Sequence, residues 1–303
     1  MNDLFSVIVA NYNNGRYLSF LVDSLKAQTY SNWELLIADD ASTDDSVDYI
    51  RKIASEDSRI KWVQHDENRG AGATFKSAMD ISEGEIIGML GADDALEPDT
   101  LATMAEAHKK YPEASVITSK AYDCDDSMQK TGLCDISGKQ PEGVSFIHDI
   151  KVSNFITFKR SKYKATLGFD PEQRRAVDHD LLLKLEEVGT IEFVEKPLYL
   201  YRRHAMGISQ GGNGLKAANF ALLAKMKAYH RRDAAHFEPN YTKSEYNALA
   251  WLYYTRVAYQ SSVQKDISEA VKYNLQAIVH KPTYILNKSF WSVFYRSFKT
   301  LLA

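Results

Sequence analysis

Only two cysteines, Cys124 and Cys134, occur in the 303 residues, and no Cys-x-x-Cys pair is formed. A disulfide framework is therefore not expected and a reducing cytoplasm fits, with a lone loop disulfide left open as the minor alternative. No apolar run approaches the roughly 18–20 residues that a membrane span needs. The opening stretch from Met1 to Ser6 is polar and runs straight into a strand-like segment, so no signal peptide is expected. Extended internal repeats are absent from the sequence. Cationic excess is absent too: residues 1–214 carry 24 Lys/Arg against 35 Asp/Glu, a net −11, while residues 215–303 carry 13 against 5, a net +8. An acidic body argues against a nucleic-acid partner, and the basic remainder is of the sign that meets an acidic surface.

What is present is enough apolar material, 45% of residues, to bury a core. It is arranged in alternation. Val7 to Ala10, Trp33 to Ile37, Ile60 to Val63 and Ile86 to Leu90 read as strands. Between and after them, Leu18/Leu21/Val22/Leu25, Val47/Ile50/Ala54, Phe75/Ala78/Met79 and Leu101/Met104/Ala105/His108 recur at helical spacing. Ser42 or Thr43 is expected to cap the second helix, and Pro98 suits the first turn of the fourth. Four strand–helix alternations in about 110 residues predict a mostly parallel, Rossmann-like α/β sheet with helices on both faces. Such sheets bind ligands at the carboxyl ends of their strands.

Acidic or polar runs fall at those ends: Ala10-Asn11-Tyr12-Asn13, Asp39-Asp40-Ala41-Ser42, Gly91-Ala92-Asp93-Asp94 and, later, Val177-Asp178-His179-Asp180. Adjacent carboxylates at the end of a core strand need a partner, since buried unpaired charge is costly. A divalent cation is the usual one, and it implies a phosphate-bearing ligand. Farther on, residues 120–150 read as irregular. Asn154–Phe158, Ile191–Val194 and Leu198–Tyr201 read as strands, and Val177–Val188 as a helix. The Gly-rich stretch Gly207–Gly214 reads as a loop able to close over a ligand. A boundary is placed there, giving a domain over 1–210 and a helical appendage over 211–303, with helices at Leu215–His230, Ser244–Gln260, Ile267–Val279 and Ile285–Leu302.

Taken in order, these motifs resemble a family 2 glycosyltransferase with the GT-A fold, over about residues 4–210. Asn11-Tyr12-Asn13, Gln28-Thr29-Tyr30, Asp39-Asp40-Ala41-Ser42-Thr43-Asp44, Asn68-Arg69-Gly70, Gly91-Ala92-Asp93-Asp94, Gly168-Phe169-Asp170, Asp178-His179-Asp180-Leu181 and Lys196-Pro197-Leu198-Tyr199-Leu200-Tyr201-Arg202-Arg203-His204 carry the likeness. The chain departs from the family pattern at Gly91, where Asp is common, at Ala10, where Pro is common, at Thr74-Phe75-Lys76 and at Val177.

The resemblance implies inverting transfer of a sugar from a nucleotide sugar, a UDP-sugar by expectation, to a hydroxyl of a saccharide or lipid-linked saccharide, as in capsule or lipopolysaccharide assembly. By the same resemblance, Ala10, Tyr12, Asp39, Asp40, Arg69, Asp93 and Arg202 border the donor. Tyr12 stacks on the base, Asp40 accepts a base N–H, Asp39 lies near the ribose, and Arg202 offsets diphosphate charge. Asp94 and His204 are the implied ligands of Mn²⁺ or Mg²⁺. Asp178 is the implied general base, with Asp180 bracing it. Two other readings stay open: a nucleotidyltransferase, which would want a Gly-rich loop with a basic residue after the first strand, and a nucleotide-binding scaffold without catalysis. For the aromatic, basic C-terminal segment with Phe290, Phe294 and Phe298, two uses stay open. One is contact with the membrane surface at the inner face of the cell membrane; the other is packing on the body or on a second subunit. The expected location is the cytoplasm.

Overall fold

Strands β1 (Phe5–Asn11) and β2 (Trp33–Asp39) are buried on both faces almost throughout, which is how a parallel strand covered by helices on each side must look. In the computed structural model, which describes residues 3–135, 137–152, 155–204, 207 and 214–301 and side chains as far as Arg296, they are the third and second strands from the β3 edge of a nine-stranded sheet. With β3 (Ile60–Gln64) and β4 (Ile86–Met89) they form the parallel run β3-β2-β1-β4. Helices α1 (Gly15–Lys26), α2 (Ser46–Glu56) and α3 (Ala71–Asp80) connect these strands, and α4 (Thr100–Lys110) follows them and packs on the later part of the sheet. Each turns in its apolar stripe, for example Leu18, Leu21, Val22 and Leu25 of α1. Each such side chain taken from water contributes about 1.5–3 kcal/mol. The alternation expected through His108 is thus borne out.

The sheet then changes character. After β5 (Ala95–Leu96) come β6 (Ala114–Cys124), β7 (Lys130–Leu133), β8 (Ile156–Lys159), the short helix α5 (Arg160–Lys164), α6 (Val177–Glu186) and the long β9 (Thr190–Arg202). The order is β3-β2-β1-β4-β8-β6-β9-β5, with β7 on β6. β8 runs antiparallel to β4 and β6, β5 antiparallel to β9, and β7 antiparallel to β6, while β6 and β9 are parallel.

Several local expectations are corrected. The segment 114–124 is a strand, mostly buried; its polar residues, from Ser115 to Asp123, hid it. The two strands expected at 191–194 and 198–201 are one, β9, in which Pro197 faces Lys120 between shifts of register. A residue without an N–H is tolerated there because the ladder is already interrupted. Ser42 and Thr43 precede α2 rather than cap it; the N-cap is Asp45, with no side-chain cap. Asn154, at the start of the strand expected over 154–158, and residues 208–213 of the Gly-rich loop lie outside the described residues.

The chain divides into two compact units, Met1–Gly214 and Leu215–Ala303. The second is helical: α7 (Gly214–Ala235), α8 (Lys243–Val263), α9 (Ile267–His280), a 3-10 turn (Pro282–Leu286) and α10 (Lys288–Leu301). Its interior is unusually aromatic, with Tyr229 stacked on Tyr246 at 4.1 Å between centroids and Tyr284 edge-on to Phe290 at 5.5 Å. Thr242 and Glu245 close a reciprocal cap at the start of α8. The helix expected from Ile285 instead begins at Lys288, after the 3-10 turn.

Candidate active site

The carboxyl ends of the parallel strands β1, β2 and β4 lie at one edge of the sheet, and the turns after β1 and β2 are laced together. Asp39 ends β2 fully buried. Its Oδ1 accepts from the Ser42 N–H at 2.9 Å, and its Oδ2 accepts from Asn11 Nδ2 at 2.8 Å and Ser42 Oγ at 2.6 Å. Expected near a ribose, Asp39 holds its turn against the end of β1. Asn13, in the left-handed region at φ 54°, accepts from the Thr43 N–H at 2.7 Å, and its own N–H donates to Ser42 Oγ at 2.9 Å. Tyr12 stands beside this lacing with 47% of its surface open, while Ala10 is half-buried at the end of β1.

Asp40 is also buried, but at the centre of a different set. Oδ1 accepts from the Arg69 N–H and from His65 Nδ1, each at 2.8 Å, and Oδ2 accepts from the Gly70 N–H at 2.8 Å. His65 Nε2 then meets Ser77 Oγ at 2.9 Å. Because a carboxylate only accepts, His65 Nδ1 carries a proton and donates it to Asp40. The loop Asn68-Arg69-Gly70 is thereby strapped to Asp40, with the Arg69 side chain exposed.

The third set joins residues distant in sequence. Antiparallel pairing of Ala95 with Leu200 brings the end of β9 over the Gly91–Asp94 turn. Asp94 is buried: Oδ2 accepts from the Tyr199 hydroxyl at 2.5 Å and Oδ1 from the Arg202 N–H at 2.8 Å. Burial, then repulsion from Asp93, pushes its carboxyl well above the ordinary range. Asp93 is the more open of the two, its side chain 24% exposed, and its Oδ2 lies 2.8 Å from His204 Nε2. The departure at Gly91 has a steric reason: a Cβ there would come within 2.5 Å of Asp94 Oδ2.

Arg202, expected to face a diphosphate, is fully buried. Its guanidinium lies between the rings of Tyr17 and Phe20, at 4.4 and 4.6 Å from their centroids. Nε donates to the Asp93 carbonyl at 2.6 Å, and Nη1 donates to the Asp126 carbonyl. It organises the site through its neighbours. Tyr17 donates to Asp126 Oδ1 at 2.7 Å and sets its ring edge-on to His204 at 4.9 Å. Burial, then the Asp126 bond, pushes the Tyr17 hydroxyl up to about 12.

Asp178 lies in the first turn of α6, half-buried, and its side chain makes no hydrogen bond or ion pair to another described residue. The segment before it packs on the Asp40 loop. Gly72 N–H donates to the Gln173 carbonyl at 3.1 Å, and Arg174 Nη2 reaches Asn68 Oδ1 at 3.0 Å. Only glycine fits at position 72, because a Cβ would come within 2.2 Å of the Asp170 carbonyl oxygen. Asp180 is buried and ion-paired with buried Lys184 at 2.6 Å, which also donates to the Gly168 carbonyl at 2.7 Å. Ala41 and Ala176, at φ 61° and 50°, hold left-handed backbone in turns of this edge, a conformation that costs an alanine about 1–2 kcal/mol.

Direct contacts thus unite Asp93, Asp94, Arg202 and His204, and a second cluster unites Asp40 with the Arg69 backbone. Sequence reasoning missed His65, Ser77, Tyr17 and Asp126. None carries a local signal; Tyr199 at least lay inside a motif already singled out.

Residues 6–164 match the family model described as Glycosyl transferase family 2. The Escherichia coli chondroitin synthase is 28% identical over 228 residues, covering 72% of this chain, and the chain spans 32% of that protein's length. Among solved structures, S. aureus TarS 1-349 in complex with UDP-GlcNAc superposes with a TM-score of 0.65 at 17% identity, over 98% of this chain and 89% of that one. The Pyrobaculum calidifontis mannosyltransferase in complex with GDP-Man and Mn²⁺ superposes with a TM-score of 0.56 at 16% identity, over 99% and 88% of the two chains. At these identities the structural likeness speaks for the fold.

Proposed function

Since the chain belongs to glycosyl transferase family 2, we propose that it moves a sugar from a UDP-sugar to a hydroxyl of a growing saccharide, with inversion at the anomeric carbon. The acceptor class we propose is a surface polysaccharide or its lipid-linked precursor, extended in the cytoplasm or at the inner face of the membrane. One observation carries this reading: Asp93 and His204 touch beside a buried Asp94, on the sheet edge where Tyr12 stands open.

The chain's own groups divide the work as follows. Tyr12 offers a ring face for the base. Asp40, already aimed by two backbone N–H groups and His65, has one lone pair left, on Oδ2, to accept a base N–H. Asp39 keeps Ser42 and the strand ends bordering the ribose in place, Ala10 lines the same edge, and exposed Arg69 is within its loop's reach of a phosphate. Asp93 and His204 present one oxygen and one nitrogen donor, a set that suits Mn²⁺ and also serves Mg²⁺, whose remaining positions go to phosphate and water. A cation held there would offset the charge that builds on the departing diphosphate. Asp94 stands behind this pair, each of its oxygens accepting one bond, from the Tyr199 hydroxyl and the Arg202 N–H, with a lone pair left on each for the same cation. Asp178 takes the proton of the acceptor hydroxyl as that oxygen attacks the anomeric carbon from the side opposite the diphosphate.

The test is a thermal-shift screen of the full chain against UDP- and GDP-sugars with and without Mn²⁺, followed by an assay for donor hydrolysis and transfer. Binding of a native-state ligand raises the melting temperature. Mn²⁺-dependent stabilisation by a UDP-sugar that the protein then consumes supports the reading. Stabilisation without turnover favours a scaffold, and no response to any nucleotide sugar sinks both.

A further inference from the structure

We propose that the helical unit 215–303 docks on an anionic phospholipid surface through the 3-10 turn Pro282–Leu286 and the outer face of α10. The argument begins with charge. From Tyr273 to the C-terminus the sequence holds no Asp or Glu and four Lys/Arg: Lys281, Lys288, Arg296 and Lys299. No acidic group in that stretch opposes approach to a negative headgroup layer.

Geometry supplies the rest. Phe290 and Val293 face inward, 3% and 2% exposed, and Asn274 Nδ2 donates to the Phe290 carbonyl at 3.0 Å, so the inner face of α10 is committed. Lys288, Trp291 and Tyr295 recur at i, i+3 and i+7 on the opposite face. Trp291 is 58% exposed and Tyr295 69%, while Leu286, at the end of the turn, is 84% exposed. The Trp291 indole N–H donates to the Ile285 carbonyl at 2.9 Å, which ties the turn and the helix into one patch. Aromatic rings with polar edges, an open leucine and flanking cations are the composition of a surface that sits at headgroup depth. No described helix is long and apolar enough to cross a bilayer, so the contact is peripheral. An acidic protein face would take the cations but leave Leu286, Trp291 and Tyr295 without an apolar phase to enter. Lipid satisfies both.

The experiment is flotation of the full chain with phosphatidylcholine vesicles, with and without phosphatidylglycerol, alongside sedimentation velocity without lipid. Wild type is expected to float only with the anionic vesicles and to be released by salt. The L286S/Y295S and K288E variants, checked for unchanged circular dichroism and melting, are each expected to bind on the order of tenfold more weakly. Equal binding to neutral vesicles, wild-type binding by both variants, or no flotation overturns the proposal. So does self-association that L286S/Y295S abolishes, since the face would then belong to a second copy.

Discussion

His204 Nε2 lies 2.8 Å from Asp93 Oδ2, joining residues 111 positions apart in the chain. Strand β9 ends just before His204 and β5 begins just after Asp94, so the pairing of these two strands decides whether the contact exists at all. If the pair holds a divalent cation, Asp93→Ala and His204→Ala should each erase the strengthening of UDP binding by Mn²⁺, with melting temperature nearly unchanged. Titration calorimetry with and without Mn²⁺ reads this directly. A metal effect of wild-type size in both variants would place the cation elsewhere.

Arg202 should behave as a structural staple. Replacing it by Met leaves the Asp93 and Asp126 carbonyls without their donor and a gap between Tyr17 and Phe20. The loss expected is about 2–4 kcal/mol, measured by urea unfolding, with activity falling in parallel. An R202M protein as stable as wild type, with only its donor affinity reduced, would return Arg202 to the diphosphate.

Asp178→Asn should leave nucleotide binding intact and cut transfer by roughly 10²–10⁴-fold, the usual worth of a general base. Asp180→Asn is the control, because it breaks a buried ion pair with Lys184 and should show first in stability. Near-normal turnover in D178N would move the base to another group.

The Asp40–His65–Ser77 chain predicts a split in kinetic constants. His65→Ala removes one of three donors to Asp40 and should weaken UDP binding by about 1–2 kcal/mol, raising the donor KM with little change in kcat. Ser77→Ala should do the same more mildly. A fall in kcat at unchanged KM would mean that His65 acts on the chemical step.

His108 predicts an acid-sensitive fold. Burial, then Lys159, lowers its pKa from 6.5 to about 3. The Thr157 hydroxyl donates to the Ile117 carbonyl, so His108 Nε2 must donate to Thr157 Oγ1, and its buried Nδ1 has no partner. A proton arriving on Nδ1 is therefore unpaired. The unfolded chain binds that proton below pH 6.5 and the folded chain does not until about 3. This contribution is complete above pH 6.5 and is lost as pH falls, by roughly 1.4 kcal/mol per pH unit. His108→Gln, which keeps an N–H donor, should flatten the decline of the urea midpoint between neutral and acid pH; an unchanged slope would refute the assignment.

Strand–helix alternation through His108, the acidic turns after β2 and β4 and the family likeness were legible in the sequence. They rest on apolar periodicity and on residue types at element ends, both of which are local properties. Strand β6 was not legible, because its Ser and Thr residues look polar until neighbours on each side bury them. Nor does sequence distinguish Asp39 from Asp40, or Asp93 from Asp94. Each pair occupies the same kind of turn, yet Asp39 clamps Ser42 and Asn11 while Asp40 straps the Arg69 loop, and Asp94 accepts from Tyr199 and Arg202, residues 105 and 108 positions away, while Asp93 meets His204. Those assignments depend on which oxygens long-range strand pairing covers with donors and which it leaves facing outward, and only the folded chain sets that.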